Sequence, residues 1–448
     1  MASGSKVLWT FVPLFSVSIM RLYLARSDPL PISIQYSYPK FNNRPRYADA
    51  MRQVFRDLVR VRELIHVEIQ DDWDQVVAGS HPNWDETIFN HSSAPLLNTL
   101  HVVRMKERDA IASRVFGGSA LHSLRDLRLY FCDLPSDRAP VLFGPALAHL
   151  EVTYCSDIWT CLSYSLEHMP CLEMLKLTQH PWEEPIDLRP FAISETVKCV
   201  EITASSAVIL SFLGAAQIQS KTALAIAPVD SMSARNAQTN THQTLPIMIT
   251  DLVEAVFSRI TATADAGITL ERLLITDVGV DSTEIRVWVE SHKRSVLPSG
   301  GGVRAYYTAL RLAHTTRDHN PRLAFGALII ALTQLKTIRG CSAIRWLGLS
   351  LQLLDEPRYL HVWRAVADCL PQVEEIVLRR TGLIRALGDP NHHDMFPSLK
   401  LVLLSPGVGV ARHIVAKARQ ARESVRFAST DLMRRFPNHN LPFDDDLD

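Results

Sequence analysis

The stretch Leu124-Arg-Asp-Leu127-Arg-Leu129-Tyr-Phe-Cys132-Asp-Leu134 constrains the fold of this chain more than any other. Its buried-type residues follow the spacing L-x-x-L-x-L-x-x-C-x-L. Leu127 and Leu129, two apart, project from one face of a short strand. Leu124 and Leu134 lead the chain into and out of that strand, so all four leucines share one interior. Cys132 falls where the chain must turn away, and a small buried side chain suits that bend. One such unit cannot bury its own apolar face, so it requires neighbours of the same kind.

The chain supplies them. Leu97-x-x-Leu100-x-Val102 comes before it, and Leu147-x-x-Leu150-x-Val152-x-x-Cys155, Leu172-x-x-Leu175-x-Leu177 and Val197-x-x-Val200-x-Ile202 come after. The second apolar residue of each unit marks positions 100, 127, 150, 175 and 200, at steps of 27, 23, 25 and 25 residues. Those steps lie in or near the range of about 20–29 residues of leucine-rich repeats. Looser units begin at Leu64, Lys221 and Leu270. Cleaner ones return at Ile344-x-x-Leu347-x-Leu349, Val373-x-x-Ile376-x-Leu378 and Leu399-x-x-Val402-x-Leu404. Helical stripes stand between strands: Leu162, Leu166 and Met169 end at Pro170, and Leu360, Trp363, Val366 and Leu370 end at Pro371. Helices are also expected over Arg46–Leu64, Leu252–Ile260, Ala305–Ala313, Leu323–Leu335 and Ala411–Phe436. Ile285-x-Val287-x-Val289 alternates as a strand does, and Ser299–Gly302 reads as a turn.

The expected fold is α/β, an irregular leucine-rich-repeat solenoid with a curved parallel sheet and outer helices. Its parts are an N-terminal capping region (1–94), regular repeats (95–226), a polar loop or insertion (227–245), irregular repeats with helical insertions (246–405), and a terminal helix with an acidic tail (406–448).

Composition narrows the function. Lys+Arg and Asp+Glu both number 47, giving zero formal net charge, so the basic footprint of a nucleic-acid binder is missing. The 7 cysteines are odd in number and include no C-x-x-C; they read as small core residues in a reduced, intracellular compartment, cytoplasmic or nuclear. The apolar run Val7–Met20 is too short to span a bilayer and lacks a clear cleavage site, so it is expected to be a buried helix end and strand rather than a leader. No membrane partner is expected.

No phosphate-binding loop, dinucleotide fingerprint or nucleophile elbow occurs. His392-His393-Asp394 is the one cluster with metal-ligand character, but adjacent histidines diverge on an extended chain and no third ligand has matching spacing. Glu374 and Glu375 are neighbours on one strand and so face opposite sides. The basic residues Arg412, Lys417, Arg419 and Arg422 read as a solvated helix face. No catalytic residue, cofactor or metal is expected, and the chain reads as a non-enzyme.

What remains is the surface between the buried leucines. Asp126, Arg128 and Tyr130; His149, Glu151 and Thr153; Lys176 and Thr178; Glu201 and Thr203 would line the concave side of a repeat array. Such surfaces bind proteins, and Tyr130 is the expected anchor because interface energy concentrates in aromatic and Arg residues.

Leu8-Trp9-Thr10, the run Leu22–Ile34 and the strands Met169-Pro-Cys-Leu172-Glu-Met-Leu175 and Phe396-Pro-Ser-Leu399-Lys-Leu-Val402-Leu-Leu404 together resemble the F-box leucine-rich-repeat-like proteins of mushroom-forming fungi. The likeness covers about residues 7–205 and 340–405. It implies a substrate receptor that bridges a ubiquitin ligase scaffold to a protein target held on the repeats. The F-box itself would stand before Leu8, where this sequence has seven residues. A ubiquitin ligase adaptor is therefore an expected partner only if an F-box is encoded upstream. The alternative is a free-standing leucine-rich-repeat scaffold without ligase coupling, and a remoter one is an enzyme with an unrecognised site.

Overall fold

A computed structural model describes residues 6–13, 16–35, 58–68, 93–103, 116, 121–132, 134, 142–179, 188–220, 222–228, 251–252, 254–256, 258, 262, 270–277, 285–296, 303–312, 344–350, 360–378, 382–392, 394–404 and 412–429. The insertion after Pro228, the turn Ser299–Gly302, the helix expected over Leu323–Leu335, most of that over Arg46–Leu64, Cys341, His393 and the acidic tail lie outside these residues. The chain is mixed α/β and divides into two units: residues 1–179, 186–199 and 215–218, and residues 180–185, 200–214 and 219–448.

The first unit is built on seven parallel strands in chain order: β1 (Phe11–Val12), β2 (Ile32–Gln35), β3 (Val61–Glu68), β4 (Thr99–Val103), β5 (Asp126–Tyr130), β6 (His149–Thr153) and β7 (Met174–Thr178). From β4 to β7 the register has no offset. Leu100, Leu127, Leu150 and Leu175 stand side by side, as do Val102, Leu129, Val152 and Leu177. All eight are buried. On β5, β6 and β7 the buried residues alternate with half-buried ones, which puts the apolar columns on one face.

The L-x-x-L spacing has a direct backbone cause. The leading residue closes a tight turn: Leu97, Leu124, Leu147, Leu172 and Val197 each donate their N–H to the carbonyl three residues earlier, at 3.1–3.2 Å. The next residue then donates to its counterpart in the preceding repeat: Asn98 to Arg62, Arg125 to Asn98, Ala148 to Arg125, Glu173 to Ala148 and Lys198 to Glu173, at 2.7–2.9 Å. Only after that step does the strand begin.

Helix α1 (Val17–Ser27) lies between β1 and β2 and buries Met20, Leu24 and Ser27. Helix α2 (Ile158–Ser165), continued by a 3-10 turn to His168, links β6 to β7 as the leucine stripe before Pro170 requires. The α2 Trp159 indole donates to the buried Gln179 amide just beyond β7. The expected helix over Arg46–Leu64 is corrected at its end, where Leu58–Arg60 is a 3-10 turn and Val61 opens β3. Pairing of Val61 and Leu64 with Ile32 and Ile34 overrides their helical spacing.

The second unit carries β8 (Cys199–Ala204), β9 (Ala223–Pro228), β10 (Leu270–Asp277), β11 (Ile285–Val296), β12 (Val303–Leu312), β13 (Trp346–Ser350), β14 (Glu375–Leu378), β15 (Leu401–Leu404) and β16 (Arg426–Ser429). Their order is β8-β9-β12-β11-β10-β13-β14-β15-β16. Antiparallel β11 sits between β10 and β12, while β9 with β12 and the run β10-β13-β14-β15-β16 pair parallel. Its helices are α3 (Ser206–Ala215), α4 (Leu360–Cys369), α5 (Gly382–Leu387) and α6 (Arg412–Ala421). A Cβ on Gly388 would meet the Ala418 backbone at 3.3 Å, so this glycine lets α5 and α6 approach closely.

Two helix expectations are overturned here. Residues 305–312 belong to β12, where two strand partners prevail over local propensity. The terminal helix stops at Ala421, and Arg426 enters the sheet by donating to Lys400 at 2.9 Å, in the same relay that runs from Arg345 through Glu374.

Among the described residues no helix is long and apolar enough to cross a membrane. Cys132, Cys155, Cys161, Cys199 and Cys369 are buried free thiols and Cys171 is exposed. Burial pushes the Cys155 thiol well above its ordinary range and the Cys161 thiol up to about 12.

Two outcomes follow from this core. Leu127→Ala, at a fully buried position in the middle of the parallel register, lowers stability by about 2–5 kcal/mol in chemical denaturation. Site-resolved alkylation of the native chain labels Cys171 first, and modifies Cys132, Cys155 and Cys161 only after denaturant is added.

Candidate functional site

The zero offset of β4–β7 turns the second face of the sheet into rows. The first row is Thr99, Asp126, His149 and Met174; the second is His101, Arg128, Glu151 and Lys176; the third is Val103, Tyr130, Thr153 and Thr178. Eight of the residues expected from the sequence, from Asp126 to Thr178, are thereby brought together. Glu201 and Thr203 lie on β8 in the second unit. Glu201 is buried, at 6% exposure, rather than presented to solvent.

The rows hold a ladder of charges. His101 Nε2 lies 3.8 Å from Asp126 Oδ1, and Arg128 Nε lies 3.4 Å from the same oxygen. Arg128 Nη1 reaches Glu151 Oε2 at 3.5 Å, and Glu151 offers its other oxygen to Lys176 Nζ at 3.2 Å. Cross-strand neighbours of opposite sign stabilise a sheet, whereas like charges in these places would repel. Each carboxylate thus lies between two basic side chains. Arg128 is the most open member, its side chain 42% exposed, while Glu151 and Lys176 are below 20%.

This arrangement sets the ionisation of the face. Burial pushes the Asp126 carboxyl up, but the neighbouring His101 imidazole and Arg128 guanidinium outweigh it and hold the group below the usual carboxylate range. Burial disfavours the Arg128 cation, and the Asp126 and Glu151 charges more than restore it, so the guanidinium holds its proton more tightly than usual. Burial, aided by the Glu151 charge, raises the Tyr130 hydroxyl above its ordinary value against the opposing Arg128 charge. At neutral pH Asp126 is therefore an anion, Arg128 a cation and Tyr130 a neutral phenol. Among the described residues no group of three or more His, Cys, Asp or Glu is placed to hold a metal ion.

Two features escaped the pattern reading. His101 lies between Leu100 and Val102 and belongs to the same face by the rule that selected Arg128. The Phe131 and Tyr154 rings, just after β5 and β6, pair at 5.3 Å, with Phe131 45% exposed. Neither aromatic sits between two leucines, so alternation alone does not single them out.

The Asp126 carboxylate favours the folded state wherever it is ionised there. Because its folded value is depressed, that contribution is complete above the ordinary carboxylate range and is lost as pH falls through the folded value. Asp126→Asn flattens the acid limb of the stability–pH profile and leaves its alkaline limb unchanged, as read by thermal melts across pH. In comparisons with known proteins, the chain matches no family model, no curated protein and no solved structure.

Proposed function

We propose that this chain is a non-enzymatic protein-recognition module, a leucine-rich-repeat array whose polar sheet face over β4–β7 receives a protein target. The observation that carries this reading is the in-register row His101, Arg128, Glu151 and Lys176, with Tyr130 in the next row. Side chains locked by neighbouring charges lose little freedom on binding, which favours a rigid recognition surface. The ladder neutralises itself, so it attracts no strongly charged ligand from a distance. Affinity comes instead from Tyr130 and the exposed part of Arg128, the residue types on which interface energy concentrates. The backbone relay and the repeated tight turns support the repeat reading, since each repeat uses the same bonds.

The resemblance to F-box leucine-rich-repeat-like proteins extends the proposal. The target is then a substrate presented to a ubiquitin ligase, in the cytoplasm or nucleus, where the free thiols stay reduced. Reconstitution with the F-box-binding adaptor tests this part. If the full-length product does not bind the adaptor, the ligase role falls and a free-standing scaffold remains.

Crosslinking followed by mass spectrometry identifies the target and maps its footprint. Tyr130→Ala and Arg128→Ala each weaken its binding by about tenfold or more, while the melting temperature changes little. Unchanged affinity in both variants removes this face as the binding site.

A further inference from the structure

Nine large apolar residues are strongly exposed among the described residues, and five of them fall between Val7 and Leu22. They are Val7 (68%), Leu8 (59%), Phe11 (53%), Leu22 (43%) and Ile19 (37%). Singly exposed apolar residues are ordinary, but a concentration of them marks an interaction surface. These five stand on three segments that pack on one another: the 3-10 turn Lys6–Trp9, strand β1 and helix α1. The arrangement is fixed from beneath. Trp9 and Tyr23 meet edge to face at 4.8 Å, and the Arg26 guanidinium lies over the Trp9 ring at 4.3 Å. Arg60 donates to the Leu24 and Leu30 carbonyls and to Ser27 Oγ, tying the end of α1 to the chain before β3.

The exposed charge on the described residues of these three segments has one sign. Lys6, Arg21 and Arg26 are exposed on the same segments, and the one acid there, Asp28, already faces Arg60 at 3.5 Å. We propose that the apolar surface from Val7 to Leu22, with its rim of Arg21 and Arg26, docks an amphipathic helix of another protein whose apolar face is bordered by Asp and Glu. The polar face of β4–β7 plays no part in this, and the two sites stand or fall separately.

Three arguments select this occupant. A second copy in a two-fold dimer would set the cationic rim against itself. An anionic bilayer is held by clusters of about four to eight Lys or Arg. The described residues of these segments carry three, with Lys6 Nζ already donating to the Asp28 carbonyl at 2.7 Å. A strand-adding peptide finds a β1 of only two residues, too short for a ladder to hold it. A helix laid across the surface uses the exposed side chains themselves. Arg26, stacked on Trp9, is already ordered for pairing with a carboxylate.

The test uses the full chain and a fluorescent synthetic helix of about 15 residues, with Leu along one face and Glu on both borders. A matched helix carries Lys in place of Glu. The Glu-bordered helix binds about tenfold tighter or better in fluorescence anisotropy, and the preference shrinks with added salt. Arg21→Glu with Arg26→Glu reverses the preference, and Leu22→Ser with Ile19→Ser abolishes binding of both helices. Ile19, Arg21 and Leu22 are exposed and make none of the contacts that fix these segments, so circular dichroism and the melting temperature of their variants stay as in the parent chain. Because Arg26→Glu also removes the stack on Trp9, Arg21→Glu alone is measured beside the double variant and already narrows the preference. Equal affinity for the two helices, no binding, or a preference that survives the charge reversal overturns the proposal. So does binding of the parent chain to phosphatidylserine vesicles that the Leu22→Ser, Ile19→Ser variant loses, or a concentration-dependent dimer lost in that variant.

Discussion

The absence of any offset between β4, β5, β6 and β7 is the constraint on which the first unit depends. A slip of one residue in any of these strands would exchange its faces, sending leucines to the polar side and charges inward. The register is set before the strands begin. Each repeat closes a turn at its leading apolar residue and bonds the next residue to its counterpart one repeat back. The strand then starts in step with its neighbour whatever the length of the connection. This is why spacings of 23 to 27 residues are compatible with one sheet: irregularity is confined to the connections, and the turn restores the phase.

The same constraint explains how much of the fold could be read from the residues alone. Leu100, Leu127, Leu150 and Leu175 were legible because a half-buried parallel strand must alternate, and alternation survives in sequence. The β-strand over 303–312 was not legible. It is held between β11, the strand just before it in the chain, and β9, which no local window contains. The entry of Arg426 was hidden for a different reason. In the final repeat the turn residue Val425 lies two before Phe427, whereas Leu399 lies three before Val402, so the L-x-x-L spacing is missing although its bonds are present. At the candidate site, Asp126 to Thr178 followed from alternation, but the charge pairing did not. Which oxygen faces which cation depends on two adjacent repeats at once. Glu201 shows the limit of the rule: position between two apolar residues does not guarantee exposure.

The two candidate surfaces of the first unit work by opposite physics. Over β4–β7 each ion lies beside one of opposite sign, so the field is cancelled locally and the proposed recognition would rest on shape, hydrogen bonding and Tyr130. At α1 and β1 the proposed docking would draw its area from the apolar residues and its sign from Arg21 and Arg26. Salt acts differently on the two. Screening reaches exposed Arg21 and Arg26 directly, while Glu151 and Lys176, less than one-fifth exposed, are shielded from it.

In β5 and β6 the motif L-x-L-x-x-C is completed by the way the strand ends. In an extended chain Cys132 would share a face with Tyr130, two residues before it, and would point to the polar side. It is buried instead, at 1% exposure. The reversal is made by the residue between them. Phe131 adds one more bond to the ladder, its N–H reaching the Thr153 carbonyl at 2.9 Å, and then takes a left-handed conformation with φ of 55°. Tyr154 repeats this after β6, bonding to Thr178 with φ of 53°. The turn sends each thiol inward, where Cys155 Sγ accepts the Cys132 N–H at 3.2 Å and lies 3.6 Å from the Leu129 carbonyl. A left-handed backbone costs about 1–2 kcal/mol for a residue with a Cβ, and glycine would avoid that. The paired rings of Phe131 and Tyr154 offset about 0.5–1.5 kcal/mol of it. The two unspecified positions before the cysteine are thus one polar residue and one reversal, and it is the reversal that returns the chain to the core.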